Sequence, residues 1–456
     1  MDPSRFLTKT LRTIPQGEVA SQIMAASLAA VEPAAAVLRH LKIDGTTLTA
    51  GLKSYDLTRI DRIFLIAAGK AGVPMARAAV SILGSKVTAG MVIVKDGYGS
   101  KDGELPPSIK VIEARHPIPD ERGAAATREI LSMVSQTTPD DLVLCLLSGG
   151  TSALLTAPAP GISLTDLQKL TDFLLRSGAN IQEFNTLRKH LDTVKGGGLA
   201  QAAAPAQILS LILSDVVEDS LDVIASGPTS ADASTYLQAG RIVKYYQLDE
   251  VLPGSILSRL QRGMQREIPE TLKPGDPLFE RVENVLVGSN RLAALAGLEA
   301  ARQFGFNTRL LTAAMQGEAR QAGWILAGIA RDIANGGFSM TRPACIIAGG
   351  ETTVNVRGTG LGGRNLELAL AAVSGMSGLQ EVLLVSLATD GGDGPTDAAG
   401  AVVSGETLTR ARDLHLSPME HLARNDSYRF FAALDDLIKT GPTQTNTNDL
   451  VFLFAF

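Results

Sequence analysis

The sequence predicts an α/β protein of two domains built on mostly parallel sheets, and three observations carry that expectation. At 456 residues the chain is longer than one hydrophobic core usually organises. From about residue 60, short β-branched runs alternate with stretches at helical spacing. Several of those runs are apolar throughout, LVLCLL at 142–147 the clearest, as strands covered on both faces are.

Along the chain, the opening stretch to about Ala50 is rich in Ala and Leu, and Met24, Leu28, Val31 and Leu38 can share one helical face. Strands are expected at 63–67, 91–94, 111–113, 142–147 and 210–213, with helices over Gly72–Leu83 and Glu121–Val134. Residues 236–283 read as helix and then loop, with TLKPGDPLF as the break. Alternation resumes with strands at 285–287, 344–348 and Val382–Ala388 and a helix over 292–303. The boundary is placed near 280, giving domains 1–280 and 281–456.

The formal net charge is -5 and no lysine- or arginine-rich run occurs, so nucleic acid and anionic membranes are not expected partners. The apolar runs are strand-length, well short of the roughly 20 residues that cross a bilayer. The first twenty residues lack the apolar core of a signal peptide. Cys145 and Cys345 each lie inside an apolar run, with no second cysteine at metal or CxxC spacing. Two reduced, buried thiols and a cytoplasmic location follow.

In open α/β sheets ligands sit outside the carboxyl ends of strands, and the polar, glycine-rich segments here recur at those ends. IFLIAAGKAG runs into Gly69 and Lys70, where a backbone turn, a helix N-terminus and an ammonium all favour an anion; a tight turn with a solvated lysine is the plain alternative. GxGxxG is absent. Ser148, Gly149, Gly150, Thr151 and Ser152 follow the buried strand at 142–147 and read as an anion cradle or a structural turn. NTLRKHLDTVKGGGLA places Lys195 before Gly196 and Gly197, either a helix cap or a close approach of backbone to ligand. Asp215 follows the strand at 210–213, where a carboxylate meets Mg²⁺ or a substrate hydroxyl, or caps a helix.

The C-terminal half continues the pattern. Asn290 and Glu351 stand just past strand ends and join the candidate binding residues. GTGLGGRNLELAL leads through Gly362 and Gly363 to Arg364 at a helix start, an arrangement suited to bidentate recognition of carboxylate or phosphate. ATDGGDGPTD offers Asp390 and Asp393 for Mg²⁺ binding or proton abstraction, although an acidic turn has the same composition and the spacing is not that of a calcium loop.

LSGGTSALL, LRKHLDTVKGGGLA, LILSDVVEDSLDVIASGPTS, GGETTV, GTGLGGRNLELAL and ATDGGDGPTDAAGA, in this order, resemble the class II glycerate kinases, whose C-terminal half is called a MOFRL-type domain. The similarity runs from about residue 10 to the end. It implies an N-terminal Rossmann-like α/β/α parallel sheet and a C-terminal α/β domain with a mixed sheet. The implied active site lies in the interdomain cleft, where ATP and Mg²⁺ serve transfer to D-glycerate and give 2-phosphoglycerate. It also allows a homodimer. In that family the lysine of the GKA turn and the arginine of GGRN are regarded as essential; they match Lys70 and Arg364. With Lys70 and Arg364 the catalytic set is completed by Asp390, read from its strand-end position, and Asp215 and Asp390 are the expected metal ligands; the base stays open among Asp390, Asp393 and Asp215. Arg115 in ARHPIPDE departs from the family pattern and leaves the role of His116 open, and Gln444 in the tail stands where the family usually has glycine. The rival readings are an NAD(P)H-dependent hydroxypyruvate reductase and a non-catalytic sensor of a sugar phosphate or nucleotide.

Overall fold

The computed structural model describes residues 1–99, 104–177, 179–336 and 340–456. The chain forms two compact units, one of residues 33–214 and 219–287, the other of residues 1–32, 215–218 and 288–456.

The N-terminal unit carries a small antiparallel sheet of β1 (Lys42–Asp44), β2 (Thr47–Ala50) and β3 (Lys53–Asp56). Its main sheet has six strands: β4 (Arg62–Ala68), β5 (Val87–Lys95), β6 (Ile109–Ala114), β7 (Asp141–Leu147), β8 (Gln207–Leu213) and β9 (Val282–Gly288). Their order is β6-β5-β4-β7-β8-β9. Strand β4 pairs parallel with both β5 and β7, and the β5–β6 and β7–β8 pairs are parallel too. Helices Gly72–Leu83 and Glu121–Val134 make the crossovers that parallel strands require. Every residue of β7 is buried, which is why its sequence is continuously apolar. The chain builds the sheet outward from β4 to β6 on one side, then returns to place β7 on the other. That reversal makes the β4/β7 junction the crevice at which such sheets bind ligands.

The C-terminal unit has a mixed sheet of β10 (Asn307–Met315), β11 (Ala344–Gly350), β12 (Val382–Ala388), β13 (Gly400–Ser404), β14 (Leu437–Ile438) and β15 (Asp449–Ala455). The order is β10-β11-β15-β12-β13-β14. Only β10 and β11 pair parallel; β15 lies antiparallel between β11 and β12. Alternation along β15 divides its side chains between two cores. Val451, Leu453 and Ala455 face helices Ala319–Ala334 and Arg364–Met376, whereas Leu450, Phe452 and Phe454 face Ala293, Leu298 and the N-terminal residues Phe6, Met24 and Leu28.

That second core explains where the first residues of the chain belong. Helix Gly17–Ala30 covers the β15 face together with helix Asn290–Gln303, so residues 1–32 fold with the C-terminal unit rather than within 1–280. The chain passes from the N-terminal unit to the C-terminal one for the last time at 287/288. The expected helical stretch to Ala50 ends at His40: Pro33 opens a second helix, Leu38 is 49% exposed, and the hairpin strands β1 and β2 follow. The alternating Thr47, Leu48, Thr49, Ala50 pattern is a strand period, which the Ala-rich composition masks. Among the described residues no single helix is long and apolar enough to cross a membrane.

Asp436, fully buried, accepts the Thr10 backbone N–H at 2.9 Å, the Thr10 hydroxyl at 2.8 Å and Arg410 at 2.7 Å, so it ties the N-terminal residues to β13 and β14. Asp436→Ala removes one partner of a buried charged network. We expect it to lower unfolding free energy by about 3 kcal/mol, read as an earlier urea midpoint of the full-length protein.

Candidate active site

The switch point of the N-terminal unit brings two turns together. The parallel register sets Ala68 beside Leu147, so Gly69–Lys70 and Ser148–Gly149 leave adjacent strands side by side. The Lys70 backbone N–H donates to Gly149 O at 2.9 Å, and the Ser148 N–H to Ala68 O at 3.0 Å. Ser148 Oγ accepts the Ala71 N–H at 3.0 Å, and Thr151 Oγ1 donates to Ala68 O at 2.7 Å. Gly69 has φ 112°, and a Cβ there would lie 2.3 Å from Ser148 Oγ, so only glycine fits. The Ser148 and Thr151 hydroxyls therefore lock the two turns to each other.

Cations gather around this junction. A Cβ on Gly150 would lie 3.2 Å from the His116 ring and 3.7 Å from Lys70 Cγ. Burial, then the charges of Lys70, Lys95 and Arg188, push the His116 pKa down to about 4, which keeps its imidazole neutral at physiological pH. His116, left without a role by the sequence, thus belongs to the cluster with Lys70.

Lys195 has a different position from the one its sequence context suggested. Its side chain is 3% exposed, and Nζ donates to Ser152 O at 2.8 Å and Leu155 O at 2.9 Å, with Asp192 at 3.7 Å. It holds the end of helix Thr151–Leu154. Gly196 and Gly197 approach protein, not open space: their N–H groups donate to Ser226 O and Gly227 O, and their Cα atoms abut Thr271, Leu272 and Phe279. The glycine triplet is a packing device, and its backbone donors are already satisfied.

In the C-terminal unit, register places Asp449, the first residue of β15, opposite both Gly350 and Ala388 at the carboxyl ends of β11 and β12. Arg364 opens the helix beside them. Its Nε and Nη2 grip Asp449 at 2.6 and 3.1 Å, and Nη1 meets Glu351 at 3.0 Å. Burial opposes the Arg364 charge, but Asp449 and Glu351 hold its pKa above the usual guanidinium range. Burial raises the Asp449 pKa, and Arg364 offsets part of that rise. Asp393 accepts the Asn365 and Leu366 N–H groups at 3.1 and 2.8 Å and caps the helix from outside; burial lifts its pKa to about 6 against those bonds. Gly362 and Gly363 let the loop close on Ser427 and Asp393. The Asn290 amide nitrogen donates to Thr447 O and Asp449 O, both at 2.8 Å, and anchors the start of β15, while its Oδ1 is buried with no hydrogen-bond partner among the described residues. Asp390 accepts only the Gly392 N–H at 3.1 Å among the described hydrogen bonds to its carboxylate. Asp215 folds with this unit, where its carbonyl accepts Asn448 Nδ2 at 2.9 Å.

Among the described residues no three His, Cys, Asp or Glu side chains form a metal cage. Mg²⁺ is commonly held by one or two carboxylates plus substrate phosphates, and the half-exposed carboxylate of Asp390 suits that use. Cys145 and Cys345 are buried and free; burial pushes the Cys145 thiol up to about 12.

The two sheets, with a cationic cradle on one and a braced arginine on the other, define a two-unit α/β enzyme. Residues 19–261 match the domain of unknown function DUF4147, and residues 344–449 match the MOFRL family. The chain is 42% identical over 392 residues to a D-glycerate 2-kinase of Thermotoga maritima, covering 86% of this chain and 90% of that one. It is 41% identical to a glycerate 2-kinase of Pyrococcus horikoshii, covering 95% and 96%. A crystal structure of a glycerate kinase from Thermotoga maritima matches with a TM-score of 0.85 at 38% identity, over 96% of this chain and 99% of that chain. The chain belongs to the glycerate kinase family.

The depressed His116 pKa has a stability consequence. The unfolded imidazole takes a proton near pH 6.5 and the folded one near 4, so between those values the unfolded state binds more protons and stability falls as pH drops. Comparing wild type with His116→Gln, we expect the variant to escape about 2 kcal/mol of the loss between pH 7 and pH 5, measured by urea denaturation at both.

Proposed function

We propose that the protein transfers the γ-phosphoryl group of ATP to the 2-hydroxyl of D-glycerate, giving 2-phosphoglycerate and ADP. The observation that carries this reading is the preorganised guanidinium of Arg364, held on two sides by Asp449 and Glu351 at three strand ends, in a chain of this family. Phosphoryl transfer asks for positioning and charge stabilisation more than covalent help. Arg364 supplies a donor edge whose geometry is fixed before substrate arrives. Lys70 places an ammonium at the glycine turn of the other cluster, where the neutral His116 adds no competing charge. Asp390 accepts the proton as the hydroxyl oxygen of glycerate bonds to the γ-phosphorus and the bridging P–O bond to ADP breaks. Asp390 and Asp215 are the carboxylates of this unit that would hold Mg²⁺, which would supply neutralisation of phosphate charge. The buried free thiols suit a reducing, cytoplasmic setting.

Purified protein given D-glycerate, ATP and Mg²⁺ should yield a 2-phosphoglycerate signal in phosphorus NMR. A 3-phosphoglycerate signal would move the acceptor, and NADH oxidation with hydroxypyruvate in place of any phosphoglycerate would replace the kinase reading with the reductase one. Arg364→Ala should cut kcat/KM by about a thousandfold while the circular dichroism spectrum is kept; retained turnover would remove Arg364 from the mechanism.

A further inference from the structure

A small, partly open pocket lies within the N-terminal unit, beside the Ser148–Ser152 turn. Ser152, Thr171, Arg188, Asp192 and Lys195 lie on its polar side, and Leu167 and Leu170 form part of its apolar wall. The charges of this region do not cancel. Lys195 is matched by two carbonyls and Asp192. Asp192 in turn accepts the Ala157 and Val194 N–H groups at 3.0 and 2.9 Å. Lys189, next along helix Ile181–Leu191, is neutralised by Asp222 at 2.9 Å and Asp232 at 3.3 Å.

Arg188 is left over. Its guanidinium stacks at 3.9 Å on the Phe184 ring, and among the described residues it donates no hydrogen bond to protein. Burial pushes its pKa down to about 10, and nearby Asp192 only partly offsets that; the group still carries its charge at neutral pH. A stacked, fixed guanidinium with unused donors facing a small, half-apolar pocket is complementary to one planar carboxylate on a short carbon chain. A triphosphate would call for several converging donors, and Lys195, the other cation of the wall, has spent its own on carbonyls.

We propose that Arg188 and this pocket receive the carboxylate of the hydroxy-acid substrate and so select acids over neutral polyols. The assignment rests on the glycerate reading above and adds the residue that reads the acid.

The test uses the full-length protein and the variants Arg188→Met, which keeps the stem packed on Phe184, and Arg188→Lys, which keeps the charge but not the fork. Arg188→Met should raise the KM for D-glycerate about a hundredfold and leave the KM for ATP within about twofold, with Arg188→Lys in between. Equal losses for both substrates, or a loss confined to ATP, would overturn the assignment and give Arg188 to the nucleotide. Thermal melts without nucleotide supply a readout independent of turnover: millimolar D-glycerate should raise the melting temperature of wild type and not that of Arg188→Met. If wild type makes no phosphoglycerate but shows this Arg188-dependent shift, the phosphoryl-transfer reading fails and the carboxylate site stands. A shift of equal size in both proteins, or in neither, overturns the site.

Discussion

The antiparallel insertion of β15 between β11 and β12 is the constraint on which the C-terminal unit depends. Two parallel-running neighbours end at Gly350 and Ala388, and only a strand of opposite sense can begin where they end. Asp449 is that beginning. It arrives buried at a sheet edge already occupied by Glu351 and Asp390, so an uncompensated carboxylate there would be costly. Arg364 meets the need with a bidentate grip, and the helix it opens is fixed in turn by Asp393. Each charged group is held by a neighbour that itself has a second reason to be there. The same central strand has both faces covered, and helix Gly17–Ala30 supplies part of the cover on one of them.

The N-terminal unit solves a related problem with hydroxyls and glycine. Parallel strands β4 and β7 bring two turns into contact, and the turns interlock through Ser148 Oγ, Thr151 Oγ1 and the Lys70 N–H. A lysine on so rigid a turn loses little freedom when it meets a ligand. The Ser148 and Thr151 hydroxyls that suggested a cradle in the sequence do this internal work, and Lys70, His116 and Ser152 are the partly exposed residues of the junction.

What the sequence made legible follows from periodicity. Buried strands announce themselves by composition, and their carboxyl ends by the first glycine or polar residue after them, so Lys70, the Ser148–Ser152 turn, Asp390 and Asp393 read as candidates that way, and Arg364 from the glycine-rich run before its helix. Partners distant in the chain carry no such signal. Asp449 precedes an apolar run like any strand-opening residue, and nothing local reveals that 85 residues earlier Arg364 awaits it. Glycine triplets mark close approach without saying to what; at Gly196 and Gly197 the neighbour is protein. Arg188 and Lys195 look alike in a cationic segment, yet burial spends one on carbonyls and leaves the other unmatched. The placement of residues 1–32 was hidden for the same reason, because an Ala-rich amphipathic helix specifies a face and not the sheet that will cover it.

The two clusters differ in electrostatic character, and that difference bears on how each is used. Around Lys70 the formal charges are positive: Lys95 and Arg188 stand near, and the histidine among them has been driven neutral by their presence and by burial. Around Arg364 the balance is reversed, with Glu351, Asp390 and Asp449 against one guanidinium and Asp393 lifted toward protonation. A bare anion is drawn to the first environment and gains less from the second, where Nε, Nη1 and Nη2 of Arg364 each already meet a carboxylate and only the remaining N–H groups of its five are open to a ligand. Arg364 therefore acts by where it is held rather than by attraction at a distance. Removing Asp449 or Glu351 would free its charge and at the same time dissolve its placement, and for a step governed by alignment the second effect is the larger.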